Sequence, residues 1–242
     1  MKLVHPDFFF QIELPENKVP VLVFESPSKF LEFVSQIKGQ VNGDNGEWVL
    51  SEGGKELNLA KTCEVIIDVF ALDINQKKMV TSLYNHLEKD IFNCDLLSEW
   101  NSIYSVLANF SEKTFDLIQY NLKYRDSIEI KDFFKFMNIS FEDSSDNVLE
   151  KILNYMELAS EIMGIRLFIL CNIKSYLDYK QLTYLYEQAF YKKYHLLLIE
   201  SHCSVEKNNI ENTIIIDQDF FVKKINKKYR NRKVIYINKS NK

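Results

Sequence analysis

The sequence has few of the two residues that most often interrupt regular structure. Its 242 residues include only six glycines and four prolines. All four prolines lie within the first 27 residues, and five of the six glycines lie between residues 39 and 54. Because glycine and proline mark turns and loops, this distribution predicts strands and turns near the N-terminal end and long, uninterrupted elements after it.

The sequence also lacks long apolar runs and paired cysteines. No apolar stretch approaches the roughly 18 residues that a membrane-spanning helix needs, and the first residues show no signal-peptide pattern. No Cys-x-x-Cys pair occurs among the four widely separated cysteines, which are Cys63, Cys94, Cys171 and Cys203. We therefore expect a cytoplasmic protein without a membrane partner, whose thiols are free and mostly buried.

Acidic residues are absent from the C-terminal end. No aspartate or glutamate follows Asp219, whereas residues 223–242 carry nine lysines and arginines. The first 222 residues hold 21 basic and 34 acidic side chains, so the net charge of −4 conceals an acidic body and a basic tail. Such a tail suits a polyanion partner, because basic side chains neutralise phosphates and release counterions. A solvated chain end has the same composition, and the sequence leaves both interpretations open.

Apolar patterning predicts an α/β fold at the two ends of the chain. Ser26 and Pro27 predict a helix that begins directly after an apolar run and reaches about residue 37, and residues 178–194 have a second helical pattern. Because apolar strands alternate with helices, we expect a parallel-rich sheet flanked by helices. The continuous apolar runs that predict its strands are residues 19–25, 65–70, 166–171, 196–200 and 213–217.

The middle of the chain predicts a separate helical domain. Residues 75–163 contain neither proline nor glycine, and their apolar residues recur at helical spacing. Asn75 is the expected N-cap of the first helix, and Gly164 is the expected stop of the last. The predicted organisation is an α/β domain of residues 1–74 and 164–242, including the basic C-terminal tail, with an inserted all-helical domain at residues 75–163.

Common catalytic motifs are missing. The nearest match to a phosphate loop, Gly53-Gly54-Lys55, has Val49 where the motif needs its first glycine and Glu56 where it needs a hydroxyl. We predict a β-turn there instead. No G-x-S-x-G elbow occurs. The four histidines have no metal-ligand spacing, so we predict structural or surface roles for them.

Carboxylates at strand ends are the remaining candidates for catalysis. Asp217 and Asp219 alternate along the chain, which puts both on one side of an extended segment. Asp68 and Glu200 lie at or near the ends of two other apolar runs. Such a set could hold Mg²⁺ in a metal-dependent nuclease or NTPase, or these residues could simply end strands and cap turns. Both interpretations stay open at this point.

A second acidic group lies in the helical region. Asp126, Glu129 and Asp132 are spaced by three residues and would line one face of a helix. Oxygen-rich clusters of this kind suit Ca²⁺, although a solvated helix face explains the pattern equally well. Basic residues in the same region oppose cation binding, namely Lys123, Arg125 and Lys131.

Five segments in order resemble those of a known family. They are VPVLVFE at residues 19–25, FALDIN at 70–75 before a helix with Leu83, His86 and Leu87, LFILCN at 167–172 followed by LLLIE at 196–200, and IIIDQDF at 214–220. Their spacing across residues 1–222, with a helical insert between them, is similar to that of the small adaptation protein of type II-A CRISPR loci. That family is a ring-forming accessory protein that binds ends of double-stranded DNA.

The resemblance implies a fold and a role. It implies a non-catalytic α/β domain related to P-loop NTPases but without the nucleotide motif, and a homotetrameric ring whose hole admits duplex DNA. It also implies Ca²⁺ held by Asp126, Glu129 and Asp132, although Lys123 and Arg125 stand among them and salt bridges could replace the ion. The expected role is spacer acquisition beside the CRISPR integrase proteins and the RNA-guided effector nuclease.

Electrostatics gives the expected DNA contacts of such a ring. Basic side chains on an inner wall contact phosphates and bind duplexes without reading their sequence. The alternatives to DNA binding are the metal-dependent enzyme described above and a helical scaffold that binds only proteins. The candidate phosphate-contacting residues are Lys77, Lys78, Lys123, Arg125, Lys131 and Lys174.

Overall fold

The structure is a computed structural model that describes part of the chain. It describes residues 1–117, 120, 122, 128–142, 145–203 and 208–217, together with the backbone of residues 222–224 and 235–236. The chain forms two compact units, one of residues 1–72 and 145–242 and the other of residues 73–144. The described elements of the first unit are strands and helices, and those of the second are helices alone.

Eleven strands occur in the described residues, and all belong to the first unit. They are β1 (Lys2–Val4), β2 (Ile12–Glu13), β3 (Val19–Phe24), β4 (Val49–Glu52), β5 (Lys55–Leu57), β6 (Cys63–Ile66), β7 (Leu167–Cys171), β8 (His195–Glu200), β9 (Glu211–Ile216), β10 (Val222–Lys224) and β11 (Ile235–Tyr236). 

The described helices are divided between the two units. The first unit holds four α-helices and a 3₁₀ turn at Ile173–Ser175, and the second holds three. In chain order they are α1 (Pro27–Val41), α2 (Leu59–Thr62), α3 (Lys77–Asn93), α4 (Leu97–Phe115), α5 (Ile130–Phe136), α6 (Val148–Met163) and α7 (Tyr179–Tyr191).

The larger sheet has the strand order β11-β10-β9-β3-β8-β7-β6. Its five strands from β9 to β6 are parallel, whereas β10 and β11 are antiparallel additions at one edge. Helices α1 and α7 pack against this sheet. The predicted α/β class with a parallel-rich sheet flanked by helices is confirmed.

The position of β3 in the sheet explains why its sequence is apolar throughout. It lies between β8 and β9, and all six of its residues are buried. A strand in the interior of a parallel sheet has both faces covered, so alternation with polar residues is lost. Val21 shows the arrangement, because it lies opposite Leu198 on one side and Thr213 on the other.

A smaller antiparallel sheet of order β2-β1-β4-β5 joins the same core. Leu3 of β1 and Trp48, which directly precedes β4, belong to one apolar cluster with Phe33 of α1 and with residues of the larger sheet. The two-residue turn between β4 and β5 is Gly53-Gly54, both at positive φ (57° and 79°). This is the backbone that a tight hairpin requires, and it confirms the predicted turn.

Helix α6 lies in the first unit, although the sequence pattern assigned it to the helical insert. It packs on α7, and its buried residues are Ile152, Tyr155, Met156 and Ala159. Gly164 ends it in the left-handed conformation (φ 76°), as the sequence predicted. Helical spacing gives the same pattern wherever the helix packs, so the sequence could not assign it to a unit.

Two local predictions were wrong. The apolar run at residues 65–70 is not one strand, because β6 ends at Ile66 and the Asp68 side chain turns the chain by accepting the N–H of Phe70 at 2.8 Å. Asn75 is not the N-cap of α3, which is Gln76. The Asn75 side chain instead bonds to both backbone groups of Phe141, at 2.8 and 3.0 Å.

The second unit is built on the packing of α3 against α5. The ring of Tyr84 in α3 lies 5.7 Å from that of Phe134 in α5, and the Tyr84 hydroxyl donates to the carbonyl of Ile139 at 2.9 Å. Helix α4 contacts α5 through Trp100, whose ring lies 5.7 Å from that of Phe133. No residue of α4 is fully buried.

Two sequence expectations concern the whole chain. No helix in the described ranges combines the length and the apolar character that a bilayer crossing requires. The four thiols are free, but only Cys63 and Cys171 are buried, whereas Cys94 and Cys203 are exposed. Two of the four thiols are therefore buried, whereas the sequence predicted that most would be.

Candidate nucleic-acid interface

Two of the predicted basic residues begin a helix. Lys77 and Lys78 are the first residues of α3, and both are exposed. The first turn of α3 has no acidic residue, so the helix N-terminus adds its partial positive charge to the two ammonium groups. The two bonds from Asn75 to Phe141 fix the chain just before this turn. The arrangement can attract a phosphate without reading a base.

Lys131 is already engaged within the second unit. Its ammonium lies 2.7 Å from a carboxylate oxygen of Glu88, and the two side chains are partly buried. The pair joins α5 to α3. An ammonium that is paired with a carboxylate attracts a phosphate less strongly than an exposed ammonium does. The expected contact of Lys131 with DNA therefore requires displacement of Glu88.

Lys174 lies in a buried ion pair, which argues against the expected phosphate contact. Its ammonium lies 2.7 Å from Glu211, and the two side chains are 9% and 6% exposed. Glu211 also accepts the hydroxyl of Tyr186 at 2.8 Å. The positive charge of Lys174 is compensated inside the protein, and we do not keep this residue among the proposed DNA contacts. Lys123 and Arg125 lie outside the described residues.

Two of the three predicted Ca²⁺ ligands lie in the part of the chain that the structure describes. Glu129 is the N-cap of α5, and Asp132 lies 3.0 Å from the ammonium of Lys135. Asp126 lies outside the described residues. Within the described ranges no three carboxylate, histidine or cysteine groups are placed to share a metal ion. The predicted Ca²⁺ site, which includes Asp126, therefore stays a prediction.

The strand-end carboxylates are separated by the order of the sheet. Asp68 follows β6 and Asp217 follows β9, so four strand spacings, about 19 Å, lie between them. Glu200 ends β8, about 10 Å from either by the same spacing, and it is fully buried. One metal ion cannot be shared by Asp68 and Asp217 over the longer distance, and no three carboxylate, histidine or cysteine groups in the described ranges are placed to hold one together. Asp219 lies outside the described residues.

The connection between β3 and α1 does not have the geometry of a phosphate-binding loop. Only Glu25 and Ser26 lie between β3 and α1, and Pro27 is the first helical residue. Two residues are too few to wrap a phosphate as a glycine-rich loop does. Ser26 does not cap α1 through its hydroxyl, which lies 2.9 Å from the hydroxyl of Ser28.

A buried polar cluster at Glu200 was not identified from the sequence. The oxygen Oε1 of Glu200 accepts the backbone N–H of Lys174 at 3.3 Å, whereas Oε2 has no hydrogen-bond partner. Burial raises the pKa of Glu200 to about 7. Burial, followed by the nearby Glu211, also raises the pKa of Tyr186 far above its usual range. The only signal in the sequence was a glutamate at the end of an apolar run.

One side of α4 carries exposed apolar residues. Val106 and Phe110 are 69% and 68% exposed, and Ile103 and Leu107 are exposed beside them. Helical spacing places these four on one side of α4. We name them the α4 apolar face. The sequence predicted an amphipathic helix here but gave no indication of whether its apolar side is covered.

Comparison with known proteins gives the family. The family model described as "CRISPR-associated protein (Cas_Csn2)" matches residues 40–220. The protein described as "CRISPR-associated protein Csn2" from Enterococcus faecalis is 22% identical over 212 residues, which cover 85% of this chain and 91% of that protein.

A solved structure is also similar over most of the chain. It is described as a putative ABC transporter (ATP-binding protein) from Pyrococcus furiosus, with 9% identity and a TM-score of 0.40. The similarity covers 88% of this chain and 97% of the other. A TM-score at this level supports no conclusion about this chain.

The position of Lys174 leads to a testable prediction about its role. Replacing it (Lys174→Gln) leaves Glu211 buried without its cation, so we expect the free energy of unfolding to fall by about 3–5 kcal/mol. The matched control is Lys180→Gln, an exposed change on α7 with an expected effect within about 0.5 kcal/mol. Chemical denaturation of both variants measures the difference. Equal stability of the two variants would contradict the buried pair.

Proposed function

The chain belongs to the Csn2 family of CRISPR-associated proteins and acts in CRISPR adaptation, and we propose that it holds ends of double-stranded DNA in the hole of a homotetrameric ring. The family model covers three quarters of the chain, from residue 40 to residue 220. The proposed binding is non-catalytic and independent of sequence, and it serves spacer acquisition. The CRISPR integrase proteins and the RNA-guided effector nuclease are the proposed protein partners.

The observation that carries the DNA-binding proposal is the pair Lys77 and Lys78. Two exposed lysines at a helix N-terminus without a first-turn acid form a local positive site on an otherwise acidic body. Phosphate contacts of this kind supply affinity without sequence preference. The basic residues after position 222 add further positive charge to the chain.

The α4 apolar face supports the proposed self-assembly. Its four residues are exposed together in the described part of the second unit, and adjacent exposed apolar side chains are typical of protein interfaces. Identical protomers have identical faces, so one such surface can pair with its copy across a two-fold axis. A closed ring then needs a second type of contact between pairs.

Non-catalytic binding is consistent with the arrangement of the acidic groups. Asp68 and Asp217 are too far apart to share a metal ion, and Glu200 is buried. No observation favours the metal-dependent nuclease or NTPase over DNA binding. Turnover of DNA or nucleotide that is lost in Asp217→Ala would nevertheless establish the enzyme.

The ring leads to a prediction about DNA topology. A preformed ring admits a duplex only at a free end, so we expect binding to linear DNA and little binding to a covalently closed circle of the same sequence. Gel-shift titration at low salt compares the two forms. Linearising the circle with a single cut is the matched control and should restore binding. Equal affinity for both forms would contradict threading through a hole.

The lysine pair leads to a prediction about salt dependence. In Lys77→Glu/Lys78→Glu we expect a lower affinity for duplex DNA, and the slope of log affinity against log salt should fall by about 0.9 for each lost phosphate contact. Either single change should have a smaller effect. The control Lys55→Glu/Lys61→Glu alters two other exposed lysines and should leave the slope unchanged. Equal slopes for both double variants would exclude Lys77 and Lys78 as contacts.

The α4 apolar face leads to a prediction about assembly. We expect Ile103→Glu/Phe110→Glu to shift the protein to smaller species in sedimentation velocity, because buried charges would oppose pairing of the faces. Both side chains are exposed in the protomer, so the fold should persist. The control Ser105→Glu/Asn109→Glu adds the same charges on the opposite side of α4. An unchanged sedimentation coefficient in the first variant would overturn this role for the face.

A further inference from the structure

The charges around Glu200 form a small set in the interior of the first unit. Three titratable groups from three elements interact with this carboxyl, and the strand β3 presents only the apolar Val23 opposite it. They are Lys174 of the 3₁₀ turn, Glu211 of β9 and Tyr186 of α7, whereas Cys171 of β7 lies in register with Ile199 and therefore on the opposite face of the sheet.

Only one of these three groups is a cation. Burial and the neighbouring carboxyls keep the Tyr186 hydroxyl neutral. The set therefore holds two carboxyl groups and one ammonium, and the ammonium lies against Glu211. With both carboxyls ionised, the interior would carry one uncompensated negative charge.

An uncompensated buried charge is costly. Glu200 is fully buried, and its Oε2 has neither an N–H nor an O–H donor in the described residues. Taking a carboxylate out of water without a full set of donors costs several kcal/mol, and a buried group usually escapes this cost by staying neutral. A bound proton on Glu200 makes the buried set neutral.

We propose that the carboxyl of Glu200 is a buried proton-binding site that controls the Lys174–Glu211 ion pair. With the proton bound, the ammonium of Lys174 forms an ion pair with Glu211 alone. When the proton leaves in the neutral pH range, the ammonium is drawn between two carboxylates and the pair with Glu211 weakens. Because Lys174 belongs to the turn that follows β7, the change reaches the carboxyl edge of the sheet. The proposal does not depend on DNA binding.

The sign of the pH effect follows from linkage. The pKa of Glu200 is about 7 in the folded chain, against an ordinary value of 4.5. The folded chain therefore binds a proton that the unfolded chain has lost, between these two values. The stabilisation from that proton is fully present below about pH 4.5 and is lost as the pH rises through about 7.

The test is chemical denaturation over a pH series, comparing the wild-type chain with Glu200→Gln. The ratio of their unfolding constants removes the contributions of all other carboxyls. We expect this ratio to change on the order of a hundredfold between about pH 4.5 and about pH 8.5, with the wild type relatively less stable at high pH. A ratio that stays constant would overturn the proposal.

Two further variants make the test specific. In Glu211→Gln the ammonium of Lys174 is left to Glu200 alone, so the titration of Glu200 should move to lower pH. The control Glu187→Gln removes an exposed carboxylate from α7 and should leave the pH profile of the wild type unchanged. A profile in Glu211→Gln identical to that of the wild type would show that the two carboxyls do not share Lys174.

The wild-type chain provides an independent readout if Glu200→Gln does not fold. Glutamate carboxyl resonances followed by NMR over the same pH series should include one with a midpoint near 7, whereas exposed glutamates titrate near 4.3. Midpoints in the ordinary acidic range for every glutamate would overturn the proposal without any substitution.

Discussion

The pairing of β3 with β8 and β9 is the interaction on which the rest of the structure depends. It joins residues 19–24 to residues 195–200 and 211–216, which are remote in sequence. Because β3 and β8 are buried along their whole length, most of their side chains are apolar and pack closely. The second unit, residues 73–144, is an insertion in sequence because the first unit is completed only by strands on both sides of it.

The same arrangement determines which charges are available for binding. Polar groups at the carboxyl edge of the sheet are used internally, as in the turn made by Asp68 and the contact of Lys174 with Glu200. The opposite charges of Lys174 and Glu211 compensate each other. Among the candidate basic residues that the structure describes, Lys77 and Lys78 remain at the surface. The proposed affinity for DNA therefore rests on the second unit and not on the sheet.

Most of the fold could be predicted because the information is local. Apolar runs gave the parallel strands, Pro27 gave the start of α1, and Gly164 gave the end of α6. The errors arose where a distant residue or a turn decides the outcome. Asn75 was expected to cap a helix, but Phe141 offers it two backbone bonds from 66 residues away. Residues 65–70 have strand composition, yet one carboxylate ends the strand early.

The candidate site was less predictable, because lysines with different roles have the same signature in sequence. Lys78 and Lys174 each lie at an element boundary in a lysine-rich chain, and only the position of Glu211 reveals that Lys174 is buried. Similarly, nothing in the order of residues separates Glu200 from an exposed strand-end acid. Burial and the number of nearby cations decide its protonation, and both depend on long-range packing.

The long sequence separation of the central strands has a consequence for biosynthesis. Strand β3 emerges from the ribosome early, but its partners β8 and β9 end 176 and 192 residues later. At ordinary translation rates the first interval is roughly 9 to 35 s, during which the apolar segment has no neighbouring strand. Helices α3 to α5 are complete within it and can fold from contacts close in sequence. In the nascent chain the segment VPVLVF is therefore exposed to aggregation. The amphipathic helix α1, which follows it directly, is the first element that can pack against it.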